Sequence, residues 1–419
     1  MEEKANINVV FIGHVDHGKS TLVGRTLLET GRIEKRVIEK YEKMGEKGKT
    51  FKFAWVMDKT QQERERGLTI EVTHQDFETK KNKIFIIDAP GHQDFVKNMI
   101  TGASEADAAI LVVAADDGVM LQTKEHALLA RTMGLNQLIV AINKIDLANY
   151  DKTHYEEVKQ QVTKLLKLLR WDIEKVPFVP VSAFNGDNVT EKSEKIRWYT
   201  GPTFLEALDL LTPETRELDR PFRMPIDDVF HVTGAGTVVA GVVSCGKVSA
   251  GDPVLIVPSG LKSEVRTIEQ YHERIQTAKA GNDIGINLRG IAVRDVHRGD
   301  ILCHVENPPA VVKEFMANLA IFGHPTSVYT GYTPTLHVNT DYVACTLMEI
   351  VQKTDSHTDE TIKNPTDIKN GETAIVRMKP VRPIIIEESK ESARMSRFVI
   401  RDMGITIGAG ICVKILETG

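Results

Sequence analysis

One eight-residue stretch, GHVDHGKS at positions 13–20, limits what this chain can fold into more than any other. It lies between an apolar run, NVVFI at 8–12, and a helix-like run, TLVGRTLLE at 21–29. The pattern G-x-x-x-x-G-K-[ST] works only as a turn between a strand and a helix. Its glycines let backbone N–H groups approach phosphate oxygens, and the helix points its positive end at them. Gly13, His14, Val15, Asp16, His17, Gly18, Lys19 and Ser20 then form a phosphate cradle. Lys19 pairs with the β and γ phosphates, and Ser20 offers a hydroxyl to Mg²⁺. The pattern alone serves kinases, motors, metabolic enzymes and switches alike.

The surrounding texture narrows the fold. Further apolar runs occur at 84–88 (IFIID), 108–114 (AAILVVA), 138–142 (LIVAI) and 178–181 (FVPV), separated by helical patterns. Such runs predict a mostly parallel sheet with helices on both faces. After LDRPFRMP at 218–225 the texture turns to Val, Thr and Gly-rich turns, and a second break falls at Asn307–Pro309. The expected architecture is an α/β P-loop domain over 1–217 followed by two β-barrel domains, 218–308 and 309–419. Residues 34–66 form a charged insertion with helical content. No run reaches the ~18 apolar residues of a membrane span. The four cysteines are scattered, and the charged N-terminus does not resemble a signal peptide. A reducing, cytoplasmic setting is expected, without disulfides or a zinc site. The net charge of −5 means that any nucleic-acid ligand needs a local basic patch.

Three further motifs follow strands. In DAPGH, 88–92, the Asp88 carboxylate can hold Mg²⁺ through water, the Gly91 N–H can sense a γ-phosphate, and His92 stands where an attacking water sits. In NKID, 143–146, the Asp146 carboxylate suits guanine N1–H and its 2-amino group, a donor pair adenine lacks. Asn143 and Lys144 can bridge back to the cradle. Ser182, Ala183 and Phe184 can place a backbone N–H on guanine O6. The order of the four motifs is that of guanine-nucleotide proteins, so a kinase or ATPase reading loses.

With RERGLTIEV (64–72), DAPGHQDFVKNM and NMITGAS (98–104), the chain resembles the elongation factor Tu family of translational GTPases. KSEKIRWYTGPTFLEALDLL at 192–211 and the long insertion resemble its archaeal and eukaryotic elongation factor 1-alpha branch, whereas DDGVMLQTKEH at 116–126 is compact as in elongation factor Tu. GTVVAGVV, GNDIGINLRGI, GYTPTLHVNT and RFVIRDMG resemble the family's two barrels. The resemblance implies a monomeric, cytoplasmic carrier that binds GTP or GDP with Mg²⁺ and delivers aminoacyl-tRNA to the ribosome. It implies recharging by a guanine-nucleotide exchange factor. Thr69 is then the switch threonine that reaches Mg²⁺ only with GTP, and Val15 and Leu68 gate His92. Asp16, Thr21 and Gly91 match phosphate and cation contacts. The catalytic set implied is His92, Lys19, Thr69 and Gly91, with Ser20, Thr69 and Asp88 as metal ligands.

The same resemblance places Lys97, Asn98, Glu269 and Arg298 at the 3′ end of a charged tRNA. Where the family reads G-D-N, this chain has Gly281-Asn282-Asp283, so an aspartate faces the site of the α-amino group. Arg377, Lys379, Arg382, Arg394, Arg397 and Arg401 suggest a basic face for the tRNA stem. One alternative is a paralogue carrying a release or ribosome-rescue factor, and the Asn-Asp order is its best support. The absence of a cysteine-rich knuckle disfavours an initiator-tRNA carrier, and the lack of a further C-terminal domain a selenocysteyl-tRNA carrier. A sulfate-activating GTPase is disfavoured by His17 and DAPGH, and a nucleotide-dead binding protein by the intact motifs.

Overall fold

A computed structural model describes residues 4–43, 52–56, 73–88, 99, 102–103, 106–213, 217–234, 236–270, 273–355 and 361–419. It divides into two compact units, Met1–Glu214 and Thr215–Gly419. The first is built on a six-stranded sheet. Its strands are β1 (Ala5–Ile12), β2 (Thr73–Glu78), β3 (Asn82–Asp88), β4 (Ala108–Ala114), β5 (Gln137–Asn143) and β6 (Phe178–Pro180), in the spatial order β2-β3-β1-β4-β5-β6. β1, β3, β4, β5 and β6 run parallel, and only the edge strand β2 is antiparallel. The apolar runs predicted as strands are all strands. β2, reading THQDFE, is the one that lacks an apolar run.

The parallel strands are apolar because both faces of the sheet are covered. Every residue of β4 is buried. Among the described residues five α-helices are complete: α1 (Lys19–Glu29), α2 (Lys35–Glu42), α3 (Leu121–Thr132), α4 (Lys152–Leu168) and α5 (Phe204–Leu208). α4 starts where the Asp151 side chain accepts from the Thr153 N–H, and α5 starts at a Thr203–Glu206 capping box. One core joins Val9 and Phe11 of β1, Leu22, Val23 and Leu27 of α1, Ile110 and Val112 of β4, and Phe204 and Leu208 of α5. α2 confirms helix within the charged insertion.

Among its described residues the second unit contains two large antiparallel sheets and two two-stranded ones. The first runs Arg223–Pro225, Ile301–His304, Pro253–Val257, Leu261–Gln270, Asp283–Leu288, Gly236–Val242, Asp228–Val232. It closes where Arg223 bridges Cys245, with the Ser244 N–H donating to the Arg223 carbonyl at 2.8 Å. The second runs Thr335–Val338, Arg397–Asp402, Ile405–Thr418, Val311–Ile321, Glu372–Pro380, Asp341–Asp355, and closes because Thr335–Val338 also pairs with Asp341–Asp355. Closure removes the exposed sheet edges that a β protein otherwise has to protect. The two barrels share a small core of Val257, Ile301, Cys303, Ile385 and Met395. The buried Arg223 guanidinium crosses between them, meeting Glu387 at 2.8 Å and the Asn307 carbonyl at 2.7 Å. All four cysteines are free and buried, and burial pushes the Cys345 thiol up to about 12. Among the described residues no helix is long and apolar enough to cross a membrane.

Candidate nucleotide site

The cradle sits at the carboxyl ends of β1 and β4, where parallel α/β sheets leave a crevice. Gly13 directly follows β1 with φ +139°, and a Cβ there would lie 2.3 Å from the Val112 carbonyl oxygen. Gly18, φ +84°, caps α1, and a Cβ there would lie 2.4 Å from Asn143 Nδ2. Both positions therefore require glycine. Asp16 also has positive φ, 63°, which a short polar side chain tolerates. Among the described residues no side chain caps the start of α1.

Lys19 is buried, and its ammonium donates to the Gly13 carbonyl at 3.1 Å and the His14 carbonyl at 2.8 Å. These bonds fold the loop around its own cation. Two residues of α3 then hold the loop from behind. His126 Nδ1 accepts from the Gly13 N–H at 3.1 Å, and Gln122 Oε1 accepts from the Val15 N–H at 3.2 Å. They lie four apart on one helix face, both buried. Sequence reading overlooked them, because a polar pair at that spacing in LQTKEH reads as a solvated helix face and only the fold shows it buried.

His17 is fully buried beside Val112, its Nδ1 3.4 Å from that carbonyl. Burial, then the nearby His14 and Lys19, push it down to about 3. Burial also lowers His14. Asp117 lies 3.8 Å from His17 Nε2, but burial dominates and the ring stays neutral, so this contact is not an ion pair. A pH dependence follows. The unfolded chain takes up this proton near pH 6.5 and the folded chain near 3, so stability is lost as pH falls through that window. His17→Asn, which keeps a donor for Val112, should shrink the drop in melting temperature between pH 7 and pH 5. The part removed at pH 5 is about 2 kcal/mol. An equal drop in both proteins would show that His17 does not titrate this way.

Asn143 ties the cradle to the second loop cluster. Its Nδ2 donates to the His17 carbonyl at 2.9 Å, and its Oδ1 accepts from the Ala183 N–H at 3.0 Å. The Ala183 N–H is thus engaged by Asn143. Lys144 takes φ +58° directly after β5, and Asp146 follows at the same end of the strand. Among the described residues no protein group bonds the Asp146 carboxylate. Phe184, in the loop after β6, is 45% exposed.

The Ser182–Phe184 loop is braced twice. Arg25 of α1 donates through Nε to the Ala183 carbonyl at 2.9 Å, and through Nη2 to the Phe184 carbonyl. Asp187 accepts from the Tyr150 hydroxyl at 2.8 Å, Ser193 Oγ at 2.7 Å and Lys195 Nζ at 3.1 Å, while its carbonyl takes the Ser182 N–H. These hydrogen bonds hold the Asp187 carboxyl below its usual range against the opposing effect of burial. None of these braces was legible beforehand.

Thr69, Leu68, Gly91, His92, Lys97 and Asn98 lie outside the described residues, as does the side chain of Asp88. The Asp88 backbone ends β3 in register with Phe11. In the first barrel, Glu269 pairs with Gly285, two residues from Asp283, so Glu269 and Asp283 share one outward face. Glu269 also meets Arg274 at 3.4 Å. Arg298 lies elsewhere, at the junction of the barrels, paired to Asp227 at 2.9 Å and to the Thr340 carbonyl at 3.3 Å. In the second barrel Arg377 pairs with Glu314 and Glu349, and Arg382 pairs with Asp341. The expected basic face is therefore partly neutralised.

Comparison with known proteins agrees with this site. Residues 4–214 match the Elongation factor Tu GTP binding domain, 236–303 match Elongation factor Tu domain 2, and 314–413 match the GTP-eEF1A C-terminal domain-like family. Elongation factor 1-alpha of Archaeoglobus fulgidus is 52% identical over 417 residues, 99% of each chain. That of Pyrococcus horikoshii is 51% identical over 424 residues, again 99% of each. Two solved structures share the fold. The GTP-bound Ski7 GTPase-like domain of S. cerevisiae has TM-score 0.81 at 18% identity, covering 98% of each chain. The bacterial selenocysteine-specific elongation factor EF-Sec has TM-score 0.73 at 23% identity, covering 98% of this chain and 58% of its own. A phosphate cradle joined through Asn143 to a guanine-type loop, on a chain matched by these families from end to end, makes this a GTP-binding hydrolase of protein synthesis: the chain belongs to the elongation factor 1-alpha family of translational GTPases.

Proposed function

We propose that this translation elongation factor carries aminoacyl-tRNA to the ribosomal A site in its GTP-bound state. GTP hydrolysis then ends the carrier state. The observation that supports the reading most is the Asn143 link, which makes one unit of the phosphate and base contacts. The assigned domains are 1–217, 218–308 and 309–419. Ser20 and Asp88, joined by Thr69 when GTP is present, would hold Mg²⁺, since a hydroxyl and a carboxylate are the oxygen donors it favours. Bound there, Mg²⁺ would neutralise phosphate charge.

Lys19, already fixed by two carbonyls, stabilises charge growing on the β and γ phosphates. Gly91 senses the γ-phosphate, and His92 orients the attacking water. Asp146 reads guanine and Phe184 covers it. Glu269 and Asp283, on one barrel face, meet the aminoacyl end, the aspartate accepting from its ammonium. Arg298 and Lys97 meet phosphates, and Asn98 lies alongside. The protein works as a cytoplasmic monomer recharged by an exchange factor.

The test is protection of the aminoacyl ester of charged tRNA against spontaneous hydrolysis. Protection is expected with GTP and not with GDP. Absence of protection in both states, with GTP binding intact, overturns the tRNA reading in favour of a carrier of a release or rescue factor.

A further inference from the structure

The described piece of the charged insertion, residues 52–56, docks on α1 and on the base loop. Gly24, in the middle of α1, faces the Phe53 carbonyl so closely that a Cβ would lie 2.1 Å from its oxygen. The Arg25 guanidinium covers the Phe53 ring at 4.1 Å while bonding the carbonyls of Ala183 and Phe184. The Phe53 and Phe184 rings meet edge to face, 6.3 Å apart at 85°. The Lys52 ammonium stands 5.2 Å from the centroid of each. Trp55, nearly buried, packs edge-on against Tyr41 at 5.9 Å.

This is not ordinary core packing. Phe53 is 2% exposed, but Phe184 is 45% exposed. A core would bury both rings. Here one buried ring and two cations fix a second ring and leave part of it open, as a stacking platform requires.

We propose that residues 52–55 form a latch on the base pocket, in which Lys52 and Phe53 hold Phe184 in place over a bound guanine and thereby set the rate of nucleotide release. The inference rests on the reading that guanine seats against Phe184. Lys52 and Phe53 are positioning residues, since they act through Phe184. The insertion is thus a retention device for the nucleotide, separate from the phosphate chemistry at Lys19.

The experiment follows release of ribose-labelled fluorescent GDP from the full chain by stopped flow. Lys52→Gln is expected to release GDP roughly three- to fivefold faster, the scale of an exposed cation–π contact. Lys52→Arg should restore the slow rate. Gly24→Ala suits a helix interior but displaces the Phe53 carbonyl, so it should also speed release. It should red-shift the Trp55 emission while α1 persists in circular dichroism. Single-turnover hydrolysis of bound GTP should stay within about twofold of the parent for Lys52→Gln, because the contact lies at the base end. Phe184→Ala separates the latch from the seating. Fast release from Phe184→Ala with parental rates in both Lys52→Gln and Gly24→Ala overturns the latch alone. Slow release from Phe184→Ala overturns the seating and the latch together.

Discussion

Asp146→Asn exchanges the guanine preference of this protein for xanthine. The Asp146 carboxylate lies just beyond β5, and no protein group among the described residues bonds it. A carboxylate can only accept, and guanine presents two adjacent donors, N1–H and the 2-amino group. An amide keeps one acceptor and sets a donor against the 2-amino group. Xanthine has a carbonyl there and satisfies the amide fully. Each charge-assisted hydrogen bond is worth about 1.5–3 kcal/mol. GDP affinity should therefore fall by roughly 10²- to 10⁴-fold, with xanthosine diphosphate gaining in step. Equilibrium binding of both nucleotides checks this. Retained guanine preference in the variant would remove Asp146 from base recognition. Because the side chain braces nothing else in the described structure, the melting temperature should stay close to the parent's.

Much of the α/β unit was legible because its strands are buried on both faces and so read as apolar runs. β2 was not, because an edge strand reading THQDFE has no such run. The cradle was legible because phosphate binding demands Gly13, Gly18 and Lys19 at fixed spacing. The residues that brace it were not. Gln122, His126 and Arg25 act through backbone groups 107 to 158 positions away and Asp187 across a turn, and any polar residue on a helix or loop looks solvated in sequence. Arg298 shows what charge alone leaves out. Its charge suggested a phosphate contact, and the fold adds partners within the protein, Asp227 and the Thr340 carbonyl. Asp227 can be read as a partner only once the barrels are closed.

Asn143→Ala lowers GDP and GTP affinity together and leaves their ratio unchanged, which sets it apart from Asp146→Asn. The side chain is 2% exposed and bonds the His17 carbonyl and the Ala183 N–H. Its removal strands two buried backbone groups, at about 1–3 kcal/mol each. Part of this falls on stability and part on the alignment of phosphate and base loops, so affinity for both nucleotides should drop by roughly 10- to 100-fold. Coupling to Gly18 makes the test specific. A Cβ at Gly18 would strike Asn143 Nδ2 at 2.4 Å. Gly18→Ala should therefore cost less affinity when Asn143 is already alanine, because the methyl then has space. The positive φ of Gly18 still penalises alanine in both backgrounds, so the rescue is partial. Neighbouring residues in such a cycle typically couple by about 0.5–3 kcal/mol, whereas independent ones add within about 0.5 kcal/mol. An additive pair would mean that the two loops move independently, and that the Asn143 link does not transmit between base and phosphate.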